Sequence, residues 1–181
     1  MHTRWKPFLP ALQLLSVVFV ALSLIPAGAH LFALPNKLAL ADTEYLLVQQ
    51  IYRGWSLFAL AVLPALGLTL LHALALRERT ARFVPALIAL GCMLASQAIF
   101  WIWTQPANRA TESWTRIPTN FAELRTQWEY SHAVAACFVL AALIFLVWSV
   151  LERADSVHVR KTRPKVIQGR TVYRAVRTIR R

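Results

Sequence analysis

Residues Trp128 to Val150 read WEYSHAVAACFVLAALIFLVWSV. From Tyr130 to Leu151 there is no Lys, Arg, Asp or Glu. A run of that length meets the roughly 20 apolar residues that an α-helix needs to cross a hydrocarbon layer. Yet Glu129 and His132 stand at its mouth, three residues apart. Three more runs lack these charged residues: Pro7 to Asn36, Gly54 to Leu76 and Phe83 to Asn108. None alternates with period 2, and only helices or closed barrels satisfy their backbone in lipid, so the four runs read as helices.

Composition agrees. The chain has 181 residues, of which 57% are hydrophobic and 15% charged, with mean hydropathy +0.48. An ordinary soluble domain is excluded, because charged residues there approach a quarter. The length allows one domain, without a solenoid repeat. The expectation is an all-α fold: a four-transmembrane-helix bundle over residues 1–155, followed by a basic tail over 156–181. The spans fall at about 10–34, 52–76, 82–104 and 130–152, and two loops at one end form a small cap.

Charge sets the orientation. Fifteen of the 20 Lys and Arg residues lie on the side that holds both termini. The other side holds Lys37, Arg53, Arg109, Arg116 and Arg125, balanced by Asp42, Glu44, Glu112, Glu123 and Glu129. By the positive-inside rule both termini are cytoplasmic and the loops are outer. A rival reading takes Met1 to Lys6 as a basic n-region and Ala27-Gly28-Ala29 as a cleavage site. The apolar run is longer than the usual h-region and continues past that site, which favours a retained span.

Pro26 and Gly28 predict a bend or early fraying near the outer end of span 1. Asp42 or Thr43 is placed to cap a helix that continues through Tyr52 and Trp55 to Leu76, kinked at Pro64. Span 3 is expected to end before Pro106, with Phe100, Trp101 and Trp103 as an interfacial belt. Asn120 with Glu123 makes a capping-box pattern that starts the last helix at Phe121, outside the lipid. In the tail, Arg170, Arg174, Arg177 and Arg181 share one helical face. That suits a basic amphipathic helix on anionic lipid, or a plain basic tail that holds topology. Nothing specific points to nucleic acid.

The polar residues gather at one level. His30, Tyr52, Trp55, Trp101, Trp103, Asn108, Glu129 and His132 all sit at the outer ends of their spans. Towards the inner side His72 is the main counterpart, alone, and reads as a core residue. On the last helix Arg125, Glu129, His132 and Ala136 form one stripe. Arg125 can pair with Glu129, and Glu129 can orient His132, a residue suited to proton transfer near neutral pH. A water-facing Arg125–Glu129 pair is the bland alternative. Glu129-Tyr-Ser-His132 also matches Glu-x-x-His, but a di-iron bundle needs two such motifs and two further carboxylates. His30 and His132 with Glu44 or Glu129 would make a two-His-one-carboxylate metal site only if three helices converge. No cofactor is therefore expected. Cys92 and Cys137 read as apolar fillers at different depths with no Cys-x-x-Cys, so disulfide exchange is not expected.

Two stretches, Ala27 to Trp55 and Thr104 to Ala133, resemble a family of small four-span membrane proteins that includes fungal anthrone oxygenases. The specific part is Asn108-x-x-Thr111-x-x-Trp114 followed by Trp128-Glu129-x-x-His132, and the resemblance covers roughly residues 10–153. The chain looks like the bacterial members without an assigned substrate, which implies the bacterial inner membrane. The resemblance implies an oxygenase of anthrone-like or hydroquinone-like polycyclic phenols that uses O₂ without an obvious cofactor. Under it His132 is the general base, oriented by Glu129, and Arg125 or Arg116 steadies the anion. Trp55, Trp103 and Trp114 stack on the flat ring, with Tyr52 and Thr111 nearby. His30, Asn36 and Asn108 supply hydrogen bonds at the rim. The alternatives are a membrane binding or accessory protein holding a quinone, lipid or partner, and a purely structural bundle. In each case the lipid bilayer is the first partner, and the pocket readings add a small aromatic or quinone as ligand.

Overall fold

The computed structural model describes residues 7–152, 165–167 and 170–172. Helices α1 (Leu9–Leu38), α2 (Asp42–Gln49), α3 (Ala59–Leu76), α4 (Thr80–Ile99), α5 (Gln105–Ala110) and α6 (Phe121–Leu151) carry the fold. Four helical stretches are long and apolar enough to cross a membrane: Leu9–Leu38, Trp55–Leu76, Thr80–Ala110 and Phe121–Leu151. They are compatible with an integral membrane protein.

The helices form a closed ring, α6 against α4 and α1, with α3 packed on α1 and α4. Their inward faces follow 3–4 spacing. Ala65, Thr69, His72 and Leu76 face in from α3, and Arg82, Ala86, Ala89, Met93 and Ser96 from α4. The middle of the bundle is an apolar core of Val20, Ala65, Ala89, Met93, Val139, Ala142 and Leu146. Its alanines let the helix backbones approach, which is how helices associate when lipid tails are as apolar as leucine. Large side chains such as Phe32, Leu60, Leu63 and Ile144 point outward instead.

The two ends differ. At the turn end, where residues 77–79 join α3 to α4, polar groups tie the four helices together. His72 is wholly buried, 3.5 Å from Gln13 Nε2 and 3.4 Å from Ser149 Oγ. The Ser149 hydroxyl donates to the Arg82 carbonyl at 2.7 Å, and Arg82 Nε returns a bond to the Ser149 carbonyl at 3.0 Å. So His72, expected to stand alone, belongs to a polar clasp contributed by every long helix. At the loop end a second, smaller core forms from Tyr45, Ala107, Trp114, Phe121, Leu124 and Trp128.

Several helix limits depart from expectation. α1 neither frays nor stops at Pro26; it runs through Pro26 and Pro35 to Leu38. Ala27, Gly28 and Ala29 therefore lie inside a continuous helix. The helix expected from Asp42 to Leu76 breaks. After α2 come 3₁₀ turns at Gln50–Tyr52 and Trp55–Phe58. Gly54 between them has φ 86°, a left-handed conformation that costs glycine little. At the start of α2 neither Asp42 nor Thr43 is the cap. Residue Ala41 takes that place, and the Glu44 carboxylate accepts its backbone N–H at 3.0 Å. Asn120 makes no side-chain cap for α6, so the Asn120–Glu123 box is not formed. Pro106 does not end the third span. A π-helical turn at Phe100–Thr104 leads directly into α5, whose first turn accommodates the proline. In the tail, Lys165–Ile167 pairs antiparallel with Arg170–Val172, so Arg170 opens a strand rather than a helix. Arg174, Arg177 and Arg181 lie outside the described residues.

Candidate functional site

The site is built by α1, α6 and the irregular chain between α2 and α3. On α1 the buried polar residues Ser16, Ser23, His30 and Lys37 recur every seven positions, which keeps them on nearly one face. On α6 the inward stripe runs Phe121, Leu124, Arg125, Trp128, Glu129 and on to Ala136. His132 lies half-buried on the same side. The two stripes meet at the loop end.

An aromatic box surrounds His30. Its ring centroid is 4.2 Å from His132, with the planes 30° apart. Tyr52 lies at 4.4 Å, Trp128 at 4.9 Å and Trp55 at 5.4 Å. Trp128 also meets His132 edge-on at 4.2 Å. His30 is buried, and its Nδ1 has no hydrogen-bond partner among the described residues. Tyr52 and Trp55 form the outer wall, and both remain partly exposed. They flank Gly54, so this wall hangs on irregular chain, whereas the histidines and Trp128 sit on long helices.

Beside the box lies an enclosed charge pair. Lys37 Nζ is 2.7 Å from Glu129 Oε1, with side-chain exposures of 3% and 0%. The Tyr45 hydroxyl donates to the same oxygen at 2.8 Å. Glu129 Oε2 has no hydrogen-bond partner among the described residues. The Lys37 ammonium also stands over the Trp128 ring at 4.8 Å and the Tyr52 ring at 5.1 Å. Burial, then the Glu129 carboxylate beside it, push the Tyr45 phenol above its ordinary range, which keeps it a donor. Burial and Glu129 raise Tyr52 in the same way. Enclosing two charges costs several kcal/mol per ion before their attraction is counted. Such a pair is a poor device for stability alone.

Arg125 does not pair with Glu129 as the stripe suggested. Its guanidinium turns to the end of α1, where Nη2 donates to the Lys37 carbonyl and Nη1 to the Leu40 carbonyl at 3.0 Å. A long contact of 3.5 Å reaches Asp42, and the group lies 4.4 Å over the Tyr45 ring. A cation at a helix C-terminus satisfies orphan carbonyls and the negative end of the helix dipole. Arg125 thus holds Lys37 in place from behind. Glu129, engaged by Lys37 and Tyr45, is likewise not the group that orients His132.

The loop-end core fixes Trp128. Asn108 Oδ1 accepts from Trp114 Nε1 at 2.9 Å and from Trp128 Nε1 at 2.8 Å. Thr111 is buried, and its hydroxyl donates to the Ala107 carbonyl and accepts from the Trp114 amide. Glu112, Ser113 and Trp114 have φ of 49°, 59° and 64°. Three consecutive left-handed non-glycine residues cost roughly 1–2 kcal/mol each, and they swing the Trp114 ring into the core. Asn108, Thr111 and Trp114 therefore build the floor beneath Trp128. Thr104 and Ser131 add a buried hydroxyl pair at 2.7 Å, set by the π-helical turn.

The structure brings together His30, Tyr52, Trp55, Glu129 and His132. It does not bring Asn36, Trp103 or Arg116 to them. Asn36 is exposed. Trp103 is 47% exposed and faces outward. Arg116 is a surface residue paired with Glu112 at 3.2 Å. Among the described residues no group of three His, Cys, Asp or Glu side chains is placed to hold a metal ion. His30 and His132 stack on each other, and Glu129 is held by Lys37. The residues missed from sequence are Lys37, Tyr45 and Trp128. The available signal was Lys37 at seven residues from His30, on the same helical face. The chain matches no family model, no curated protein and no solved structure.

Proposed function

We propose that the loop-end box binds a flat aromatic ring and that His132 removes a proton from it, making the protein an oxygenase of anthrone-like or hydroquinone-like phenols. The observation that carries this reading is the convergence of His30, His132, Tyr52, Trp55 and Trp128 around one point. Ring faces and edges of that kind favour a planar guest; His30 fills the space between the rings, so admitting one requires the Tyr52–Trp55 wall on either side of Gly54 to move. The resemblance of Asn108-x-x-Thr111-x-x-Trp114 and Trp128-Glu129-x-x-His132 to the anthrone oxygenase family supplies the reaction class.

An anthrone balances as follows. His132 takes one proton from the ring methylene, and the electron pair delocalises onto the ring carbonyl oxygen. The carbanion carbon bonds to O₂, and the proton returns to the distal oxygen to give a hydroperoxide. Loss of water leaves a second carbonyl, so one methylene and one O₂ become one carbonyl and one water. The protein contributes the base and a dry, oriented site. By the distribution of Lys and Arg, the box faces the non-cytoplasmic side and both termini are cytoplasmic; the resemblance supplies the bacterial inner membrane.

The test is O₂ uptake by purified protein with anthrone. Wild-type protein consumes O₂ above the uncatalysed rate, and His132→Ala loses at least about 100-fold, the usual span for a general base. Uptake by His132→Ala equal to wild type removes His132 as the base. Saturable binding without O₂ uptake by the wild type leaves a binding protein in its place.

A further inference from the structure

Among the described residues Lys37 is the one ammonium enclosed with the box. Its Nζ stands 2.7 Å from Glu129 Oε1 as an ion pair, and none of its three N–H groups makes a hydrogen bond of ordinary geometry among the described residues. The rest of the ammonium faces the rings of Trp128 and Tyr52 at 4.8 and 5.1 Å, and no carbonyl among the described residues takes a bond from it. A cation over a ring is held by about 0.5–2 kcal/mol. A ring oxyanion offers the same donors a shorter, charge-assisted bond, roughly twice as strong as a neutral one. Tyr45 matters here because its 2.8 Å bond steadies Glu129 when Lys37 turns part of its charge elsewhere. Arg125 holds the Lys37 carbonyl and the end of α1 from behind, which fixes where the ammonium points. The two arginines that sequence offered for the anion are not available: Arg116 is at the surface and Arg125 is spent on carbonyls.

We propose that Lys37 holds the oxyanion of the bound aromatic, so that the site selects flat ligands with an ionisable ring oxygen over their neutral ethers. This rests on the ring-binding reading above and names the ligand class for it. In the oxygenase cycle the same contact receives the charge that deprotonation places on the ring carbonyl oxygen.

The experiment titrates protein in lipid nanodiscs with 2-hydroxyanthraquinone and with 2-methoxyanthraquinone, reading the dye's absorption. Wild-type protein binds the hydroxy dye at least about tenfold tighter, the value of one charge-assisted bond. It also shows the phenolate band at a pH where the free dye is neutral. Lys37→Met binds the two dyes within about twofold of each other and shows no phenolate band, whereas Lys37→Arg keeps the band. If Lys37→Met does not fold, Lys37→Met/Glu129→Gln carries the same test without an unpaired buried carboxylate. Equal binding of both dyes by wild type with no phenolate band overturns the Lys37 assignment and leaves the ring site standing. A phenolate band that survives Lys37→Met also overturns it. Failure of both dyes to saturate overturns the ring site itself, and the Lys37 assignment with it.

Discussion

At the scale of single residues, the centre of this protein is a lysine and a glutamate enclosed at one end of a helical bundle. Lys37 and Glu129 come from the end of α1 and the start of α6, and each is the other's counter-ion. Removing one partner strands a buried charge, which costs about 3–5 kcal/mol, whereas removing both avoids that penalty. Thermal unfolding in detergent should therefore show a large drop in Tm for Lys37→Met and for Glu129→Gln. The double variant should recover most of it. Additive losses in the double variant would mean that the two groups do not pair. Sequence brought the reading close to this pair without reaching it. Glu129 and His132 stood out because ionisable groups at the mouth of an apolar run are rare. Lys37 was hidden, because a lysine just past a charge-free stretch looks like an ordinary end of a span. What buries it is the extension of α1 through Pro35 to Leu38, and proline rules argue against that extension. The pairing of Arg125 with Glu129 failed for a related reason. Spacing on one helix shows which side chains can meet, but not that carbonyls at the end of another helix compete for the same guanidinium.

At the scale of elements, the long helices were legible and the chain between them was not. Charge-free runs locate all four spans, and α6 begins at Phe121 as its pattern indicated. The segment from Gln50 to Phe58 was misread as helix because its residues are apolar enough to continue one. A left-handed Gly54 breaks it, and the break turns Tyr52 and Trp55 inward as a wall. The loop over residues 111–120 holds its information in hydrogen bonds rather than periodicity. Asn108 Oδ1 serves two indole N–H groups at 2.9 and 2.8 Å. Asn108→Ala leaves both donors without an acceptor, at about 1–3 kcal/mol for each buried group. The expected outcome is a lower Tm together with altered near-UV circular dichroism, since Trp114 and Trp128 lose their common anchor. Unchanged aromatic ellipticity would show that the loop holds Trp128 by packing alone.

At the scale of the whole molecule, two polar zones lie at opposite ends of an apolar core. The turn-end clasp of Gln13, His72, Arg82 and Ser149 joins the four helices. The loop-end zone carries the rings and the enclosed charges. Between them lie Val20, Met93, Val139 and Leu146, with the buried hydroxyls of Ser23 and Ser96 bonded back to carbonyls of their own helices. The aromatic box and the Lys37–Glu129 pair lie together at the loop end. We propose, from the distribution of Lys and Arg, that this end faces the non-cytoplasmic side. A membrane-impermeant thiol reagent should label a cysteine placed at Glu112 in intact cells and should spare one placed at Glu78. The reverse pattern would invert the protein in the membrane. The most direct measurement of the central claim is tryptophan fluorescence of the protein in nanodiscs during titration with 9,10-anthraquinone. A ring site walled by Trp55 and Trp128 predicts saturable quenching whose amplitude falls in Trp55→Phe and in Trp128→Phe. Quenching that rises linearly with dye, without saturation and alike in all three proteins, would mean simple partition into lipid and no such site.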